Sequence, residues 1–289
     1  MGGTRDHVPV EAQLQVAADR AIELARVRFG ERLLDVCCGT GNASAAGAAA
    51  GALVTGIDLD ESVIRIARER VPAGKFEIAD AIHLPFANES FDVAVSTFGV
   101  SLLLGQAAVG ELLRVVRPGG RIVITAWPET GSILSARSIL RRAVAEAQGR
   151  PSSVSNSTSW HDRGTVRDLF APHSVEFFDE RIVFEAASSQ AVAAQYYDHH
   201  PQWLQARQVV GESVYRQLRE RATRFFDEVN EHASAWQATD SYLAAVATLE
   251  SEPGRASFPA DAGRLERWRL LLRQPRSPAE TAAKIENQR

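Results

Sequence analysis

The sequence predicts the α/β class: a doubly wound, mostly parallel sheet of seven strands, with a helical insertion before the last strand and a C-terminal extension. Over residues 32–127, short apolar runs alternate with helical patterns in the order β-α-β-α-β-β-α-β. The runs are nearly continuous in apolar residues, which is typical of parallel strands buried on both faces. Glycines and carboxylates follow directly after several runs, at the sheet edge where ligands bind in such folds.

The elements are recognised one after another by the spacing of their apolar residues. An N-terminal helix is expected over residues 11–28. The strands are predicted at 32–38, 52–59, 75–80, 91–98, 121–127, 174–186 and 241–249. Further helices are predicted at 42–51, 60–71, 110–118, 132–148, 164–171 and over 188–235. Asp60 is the expected N-cap of its helix, and residues 117–120 (RPGG) are expected to end another helix in a tight turn.

The composition is that of a soluble globular protein, with 45% hydrophobic and 24% charged residues in a chain of 289. The formal net charge of −4 gives no basic field for nucleic acid or anionic lipid, so neither is expected as a partner. The first fifteen residues lack the apolar region of a signal peptide, and the alanine-rich stretch 43–54 is too short to span a membrane. We therefore expect a cytoplasmic protein without membrane insertion.

Two adjacent cysteines, Cys37 and Cys38, are the only cysteines in the chain. Two cysteines cannot build a disulfide framework, and neighbouring residues pair poorly in a disulfide. A four-ligand metal site needs a second ligand cluster, which the sequence lacks, so no metal is expected. The pair is therefore interpreted as part of a glycine-rich turn.

That turn has the features of a ligand-binding loop. Gly39 and Gly41 have no Cβ, which lets a ligand approach the backbone, and the helix that follows presents its free N–H groups. A dinucleotide fingerprint needs glycine at position 44, where this chain has Ser44. Asp35, just before the turn, repels a pyrophosphate and attracts a cation, so the ligand is expected to carry positive charge there.

Two further carboxylates follow the next strands. Asp58 ends the second predicted strand, where a carboxylate can accept hydrogen bonds from both hydroxyls of a ribose. Asp80 ends the third, in a position to accept a hydrogen bond from an exocyclic amine such as adenine N6. Together the acidic residues predict a pocket for a cationic group, a ribose and an adenine, without a phosphate. For Asp58 alone, an exposed strand-end acid without a ligand is the alternative.

Four segments in this order carry a family resemblance. They are 33–44 (LLDVCCGTGNAS), 54–70 (VTGIDLDESVIRIARER), 79–100 (ADAIHLPFANESFDVAVSTFGV) and 111–127 (ELLRVVRPGGRIVITAW). They resemble the class I S-adenosylmethionine-dependent methyltransferases, and most closely the small-molecule branch with the methyltransferase type 11 pattern, similar to the ubiquinone and menaquinone methyltransferases. The resemblance is strong over about residues 12–130 and loose beyond them.

The resemblance implies a Rossmann-like fold and a division of the chain. Residues 1–250 are the implied methyltransferase domain, with 12–130 as the cofactor-binding core. Residues 131–240 are the implied lid and acceptor-binding elements, and they include a helical insertion at 188–235. Residues 251–289 are the C-terminal extension, for which three roles remain open: capping the pocket, mediating a homodimer, or neither.

The resemblance also implies a cofactor and its contacts. The cofactor is S-adenosyl-L-methionine, and its product is S-adenosyl-L-homocysteine. The methionine part is implied to contact Asp35, Cys37 and Gly39, with Gly41 in the same turn. The ribose is implied to bind Asp58, and the adenine to contact Leu59, Asp80 and Ala81. The methionine or the methyl group is implied to lie beside Ser96, Thr97 and Phe98. Cys37 stands where the family pattern usually has glycine. We expect a small effect, because cysteine is compact and the position need not have a positive φ.

The acceptor site is implied to lie between the N-terminal helix and the insertion. His199 and His200 are candidate general bases, because imidazole titrates near neutral pH. Adjacent histidines on a helix point in different directions, so at most one is expected to face the site. The candidates for the substrate pocket are Trp127, Trp160, Tyr196, Tyr197 and Trp203. An aromatic cluster at helical spacing is more often core, and this alternative stays open.

The expected activity is methyl transfer to an O, N or C atom of a small, apolar or aromatic metabolite or natural product. The first alternative is a protein of the same fold that binds the cofactor without transferring methyl, such as a cyclase, because fold does not fix chemistry. An NAD-dependent oxidoreductase is disfavoured by Ser44 and by the Asp80 motif. A nucleic-acid methyltransferase is disfavoured by the acidic charge and by the STFG ending of the fourth strand.

Overall fold

The structure is a computed structural model, and it describes residues 10–103, 105–128, 131–149, 160, 162–199 and 201–250. The predicted polar loop at 149–159, apart from its first residue, lies outside the described residues, and so does the extension 251–289. His200 also lies outside them.

The described residues form a seven-stranded sheet in the order β3-β2-β1-β4-β5-β7-β6. The strands are β1 (Arg32–Val36), β2 (Leu53–Asp58), β3 (Lys75–Ile78), β4 (Phe91–Thr97), β5 (Val116–Ala126), β6 (Ser174–Ala186) and β7 (Trp236–Thr248). The first five strands are parallel, and β7 runs antiparallel to both β5 and β6. The predicted doubly wound, mostly parallel sheet is confirmed.

Helices connect the strands and extend the fold before the last one. They are α1 (Val10–Gln13), α2 (Gln15–Leu24), α3 (Asn42–Ala49), α4 (Glu61–Arg70), α5 (Val100–Leu103), α6 (Gly105–Val115), α7 (Ser132–Ala147), α8 (Arg163–Phe170), α9 (Ser189–Ala194), α10 (Pro201–Val210) and α11 (Glu212–Glu228), with a π-helical turn at Gln195–His199 between α9 and α10. As predicted, Asp60 caps α4, because its carboxylate accepts a 2.8 Å hydrogen bond from the Ser62 amide. No helix in the described part of the chain is both long and apolar enough to cross a membrane.

Two boundaries differ from the sequence prediction. The strand β7 begins at Trp236, five residues earlier than expected, because it pairs with β6 along thirteen residues as far as Ala186. The RPGG segment falls within the range of β5 instead of preceding it, and the β4–β5 pairing shifts register there, between Phe91 and Val93. In both places the first residue of the strand is set by its pairing with the neighbouring strand and not by the local sequence.

Buried side chains form three clusters around the sheet. One holds Ile22, Ile64 and other residues of the α2–α4 side, and a second holds Leu112, Phe170 and other residues of the α6–α8 side. The third, which we call the aromatic cluster, joins Phe98 to buried residues of α7, α9, α10 and α11. The strands β1 and β4 are neighbours at the centre of the sheet. The connection after β1 leads to β2 on one side, and the connection after β4 leads to β5 on the other side, so the two connections diverge between β1 and β4. A crevice for a ligand is expected at this divergence.

Candidate active site

The turn at residues 37–41 joins β1 to α3 and is fastened to the end of β2. The Gly39 amide donates a 2.9 Å hydrogen bond to Asp58 Oδ2, and the Cys38 amide donates to the Ile57 carbonyl at 2.9 Å. Gly39 and Gly41 have φ values of 52° and 85°, which only glycine adopts readily. A Cβ built on Gly39 would meet no atom within 4 Å, so open space lies beside the turn.

The backbone of Cys37 corrects one expectation from the sequence. Its φ is 57°, so this position does take the left-handed conformation that favours glycine. A non-glycine residue pays about 1–2 kcal/mol for that conformation. Gly99, after β4, makes room for the cysteine side chain: a Cβ on Gly99 would lie 2.3 Å from the Cys37 Cβ. The cysteine at position 37 and the glycine at position 99 are thus complementary.

We expect Gly99→Ala to destabilise the protein by about 1–3 kcal/mol, because two Cβ atoms cannot share this space without a backbone shift. The cost should be much smaller in a Cys37→Gly background, which removes the opposing Cβ and Sγ and leaves only the closer-than-usual contact with Ser96 Oγ at 3.1 Å. Urea unfolding of the four proteins of this double-mutant cycle measures the coupling. Gly110→Ala is the matched control, because a Cβ there meets nothing within 4 Å and should be neutral or slightly stabilising. Additive effects of the two substitutions would contradict the complementarity.

Asp35 is a fully buried carboxyl at the end of β1. Its Oδ2 accepts a 2.7 Å hydrogen bond from the Ser44 hydroxyl, while Oδ1 is buried and has no hydrogen-bond partner among the described residues. Burial, with a smaller contribution from the negative charge of Asp58, raises the pKa of Asp35 to about 6, although the Ser44 hydrogen bonds act in the opposite direction. A carboxyl with one oxygen unpaired suits a cationic or hydrogen-bond-donating ligand.

The structure brings the three predicted carboxylates together around Cys37. Burial, together with smaller contributions from the charges of Asp58, Asp35 and Asp80, raises the pKa of this thiol to about 12. Burial likewise raises the pKa of the Cys38 thiol. Both thiols therefore stay protonated near neutral pH, which disfavours redox chemistry or metal binding by the pair. The site is negatively charged and so favours a cation over a phosphate.

The remaining predicted cofactor residues lie at or just after the ends of β2, β3 and β4. Asp80 Oδ1 accepts a 3.1 Å hydrogen bond from the Ile82 amide, which holds the carboxylate at the end of β3. Leu59 is 63% exposed just after Asp58, whereas Ala81 is buried. The Ser96 hydroxyl is buried on β4 and accepts a 3.0 Å hydrogen bond from the Val100 amide. The exposed Leu59, directly after the Asp58 carboxylate, provides an apolar surface for a planar ring.

An aromatic wall follows the ends of β4 and β5. Phe98, also at a positive φ of 59°, stacks on Trp127 with ring centroids 4.0 Å apart and planes 9° apart. Tyr242 of β7 meets both rings edge-on, at 5.3 Å and 6.0 Å. Sequence reasoning missed Tyr242, and also Ser44 as the partner of Asp35. No local signal identifies either residue, since the contacts depend on strand order and turn geometry.

The predicted aromatic residues of the insertion are buried in the same cluster. Tyr196 and Tyr197 lie 4.9 Å and 4.6 Å from Trp203 between ring centroids, and the Tyr215 hydroxyl donates to the Tyr197 carbonyl. The Tyr197 hydroxyl is buried without a hydrogen-bond partner among the described residues, and burial raises its pKa. These rings pack chiefly on one another, as expected for core. A contact with substrate stays a prediction.

Among the residues that the structure describes, the others predicted to bind or activate the methyl acceptor are not found beside Phe98 and Trp127. Trp160 is buried in the second cluster, with Val166 and Phe170 of α8, and the structure does not bring it to the other aromatic candidates. His199 ends the π-helical turn, but its side chain, like the whole of His200, lies outside the described residues. A catalytic role for either histidine therefore stays a prediction.

Comparison with known proteins identifies the central part of the chain. Residues 34–124 match the sequence profile of the methyltransferase domain of type 11. A demethylmenaquinone methyltransferase of Clavibacter sepedonicus is 42% identical over 114 residues, covering 38% of this chain and 45% of the relative. A Mycobacterium bovis protein without an assigned activity, Mb1438c, is 35% identical over 160 residues, covering 53% and 56%. The chain spans about half the length of these curated relatives.

A solved structure supports the same fold over a longer range. The YcgJ protein of Bacillus subtilis superimposes with a TM-score of 0.54 and 15% identity, covering 82% of this chain and 99% of that protein. At this identity the likeness concerns the fold alone. The resemblance read from the sequence is thus confirmed over residues 34–124, which match the methyltransferase domain.

Proposed function

We propose that the protein is an S-adenosylmethionine-dependent methyltransferase whose acceptor is a small apolar or aromatic molecule. The observation that carries the proposal is that the charges of Asp35, Asp58 and Asp80 all act on Cys37, two residues before the open space at Gly39. A ligand with a sulfonium and an ammonium group matches this negative field, whereas the pyrophosphate of NAD does not. The relative from Clavibacter sepedonicus, named for demethylmenaquinone, supports a small-molecule acceptor.

The cofactor fits the residues present. Asp35, with its unpaired Oδ1, would hold the methionine part beside the Cys37–Gly39 turn. Asp58 keeps lone pairs for ribose hydroxyls while it accepts the Gly39 amide, and Asp80 with Leu59 would hold the adenine. When bound, the cofactor supplies an activated methyl group. The chain then has to position the acceptor and exclude water.

The aromatic wall supports the choice of acceptor. Phe98 and Trp127 directly follow the last residues of β4 and β5, Thr97 and Ala126, so they lie beside the place where the methyl group is expected. Their stacked faces and the edge of Tyr242 offer an apolar, planar surface that suits a ring system. Transfer to an O or C atom also calls for a base, for which His199 and His200 remain the candidates.

Titration of the cofactor pocket gives a pH test of this proposal. A cationic ligand favours ionised Asp35, so binding should release a proton and lower the pKa of about 6 that burial gives this carboxyl. Affinity for S-adenosylmethionine should therefore fall about tenfold as the pH drops from 7 to 5, and level off above pH 7. Calorimetry in two buffers of different ionisation enthalpy measures both effects. Asp35→Asn should bind more weakly with no such pH dependence; an unchanged pH profile would contradict the role of Asp35.

The experiment that tests the function is calorimetric titration with S-adenosylmethionine, S-adenosylhomocysteine and NAD, followed by product analysis with a panel of quinones and phenols. We expect saturable binding of the first two ligands, no binding of NAD, and formation of S-adenosylhomocysteine with an acceptor. Binding without S-adenosylhomocysteine formation, together with a rearranged acceptor, would favour a non-methylating enzyme such as a cyclase. Failure to bind either sulfur ligand would overturn the proposal.

A further inference from the structure

A groove separates the outer faces of α7 and α11. The two helices contact each other through the aromatic cluster, with Ala136 and Leu140 of α7 and Ala222 and Phe226 of α11 buried on the inner side. Above this contact lies a cavity of about 320 Å³. Its lining consists of Ser135, Ser138, Ile139 and Arg142 from α7, and Arg221, Arg224, Phe225 and Glu228 from α11.

The groove concentrates positive charge that the described part of the chain does not neutralise. Three guanidinium groups and one carboxylate line it, which leaves a net charge of about +2. Arg142, Arg221 and Arg224 form no ion pair with any described residue. Elsewhere arginines are commonly paired, for example Arg121 with Glu31 at 2.6 Å. Like charges in one groove repel each other, so an anion between them would stabilise the arrangement.

The chemistry of the lining indicates the kind of anion. Guanidinium forks bind the oxygens of phosphate groups through paired hydrogen bonds, and the hydroxyls of Ser135 and Ser138 add donors. A dianion matches the net charge of the lining, whereas a single carboxylate does not. Ile139 and Phe225 add apolar surface for the rest of a ligand, and the volume lies at the lower end of the range for small-molecule sites.

From these observations we propose that the α7–α11 groove binds a phosphate or diphosphate group, borne either by a soluble molecule or by a lipid headgroup. None of the lining residues belongs to the Cys37–Gly41 turn or to the three carboxylates. The groove is therefore a second site, and it can be tested independently of the methyltransferase proposal.

The test is calorimetric titration of the full chain with pyrophosphate at low ionic strength. We expect saturable binding by the natural sequence, weakened at least tenfold in the double variant Arg142→Gln/Arg221→Gln. Arg224 is left in place because it also lines a neighbouring cavity. The control is Arg65→Gln/Arg181→Gln, which removes the same charge from exposed positions on α4 and β6 and should bind normally. Circular dichroism verifies that both double variants are folded.

A second arm distinguishes the sources of the phosphate group. Vesicles of phosphatidylcholine with phosphatidic acid are compared with vesicles of phosphatidylcholine alone in a flotation assay. Pyrophosphate binding without vesicle binding supports a soluble ligand, and binding to phosphatidic acid vesicles that the Arg142/Arg221 variant loses supports a headgroup. Absence of binding in both arms, or equal binding by the Arg142/Arg221 variant and the control, would overturn the proposal.

Discussion

Replacing Asp58 with alanine is expected to lower the affinity for S-adenosylmethionine at least a hundredfold. The carboxylate is proposed to accept two ribose hydroxyls, and hydrogen bonds to a charged group contribute about 1.5–3 kcal/mol each. It also accepts the Gly39 amide at 2.9 Å, so its loss releases the turn that is proposed to hold the methionine part. Losing both ribose hydrogen bonds corresponds to about 3–6 kcal/mol, which is about a hundredfold to more than ten-thousandfold in dissociation constant. Isothermal titration calorimetry measures it directly.

Two further variants separate binding from folding. Asp58→Asn keeps one oxygen acceptor and should retain part of the affinity. Asp60→Ala removes the cap of α4, whose acceptance from the Ser62 amide supports the helix, and should reduce stability by about 1 kcal/mol while changing affinity less than twofold. Normal cofactor affinity in a folded Asp58→Ala protein would contradict the proposed ribose site.

Asp240→Ala is expected to destabilise the protein by about 2–4 kcal/mol. Asp240 is buried on β7, and its carboxylate accepts hydrogen bonds from the Ser132 amide at 2.7 Å, the Ser132 hydroxyl at 3.1 Å and the Ile133 amide at 3.2 Å. These groups form the start of α7, whose own N-cap residue, Gly131, offers no side chain. With alanine at position 240, the Ser132 and Ile133 amides stay buried without an acceptor. Each unsatisfied donor then costs its full free energy of desolvation. Urea unfolding at 25 °C measures the change.

The controls for Asp240 concern charge and shape. Asp240→Asn keeps one oxygen acceptor and should show an intermediate loss. Asp168→Ala removes an equal charge from an exposed position on α8 and should change stability by less than about 0.5 kcal/mol. If Asp240→Ala were as stable as Asp168→Ala, the capping of α7 from β7 would contribute nothing to folding.

The sequence was informative where structure depends on neighbours in the chain. Apolar spacing located the sheet and most helices, and Asp58 and Asp80 stood out because they follow buried strands. Contacts between distant residues were not predictable. The caps on α7 join residues 108 positions apart, and the Cys37–Gly99 complementarity joins neighbouring strand ends. The left-handed φ of Cys37 is not predictable from the sequence because the residue type argues against it, and the absence of a side chain at Gly99 gives the cysteine room.

The pairing of β6 with β7 has a consequence for how the protein can change. The helical segment 187–235 leaves the sheet at Ala186 and returns at Trp236, and these two residues are partners in the ladder. Because the two ends of this segment are joined to paired residues of β6 and β7, the segment can be lengthened, shortened or exchanged. Such a change does not alter the register of the strands that carry Asp35, Asp58 and Ser96. If this segment binds the acceptor, as proposed, acceptor preference can diverge by replacement of one contiguous segment, and grafting it between homologues is a route to new specificities.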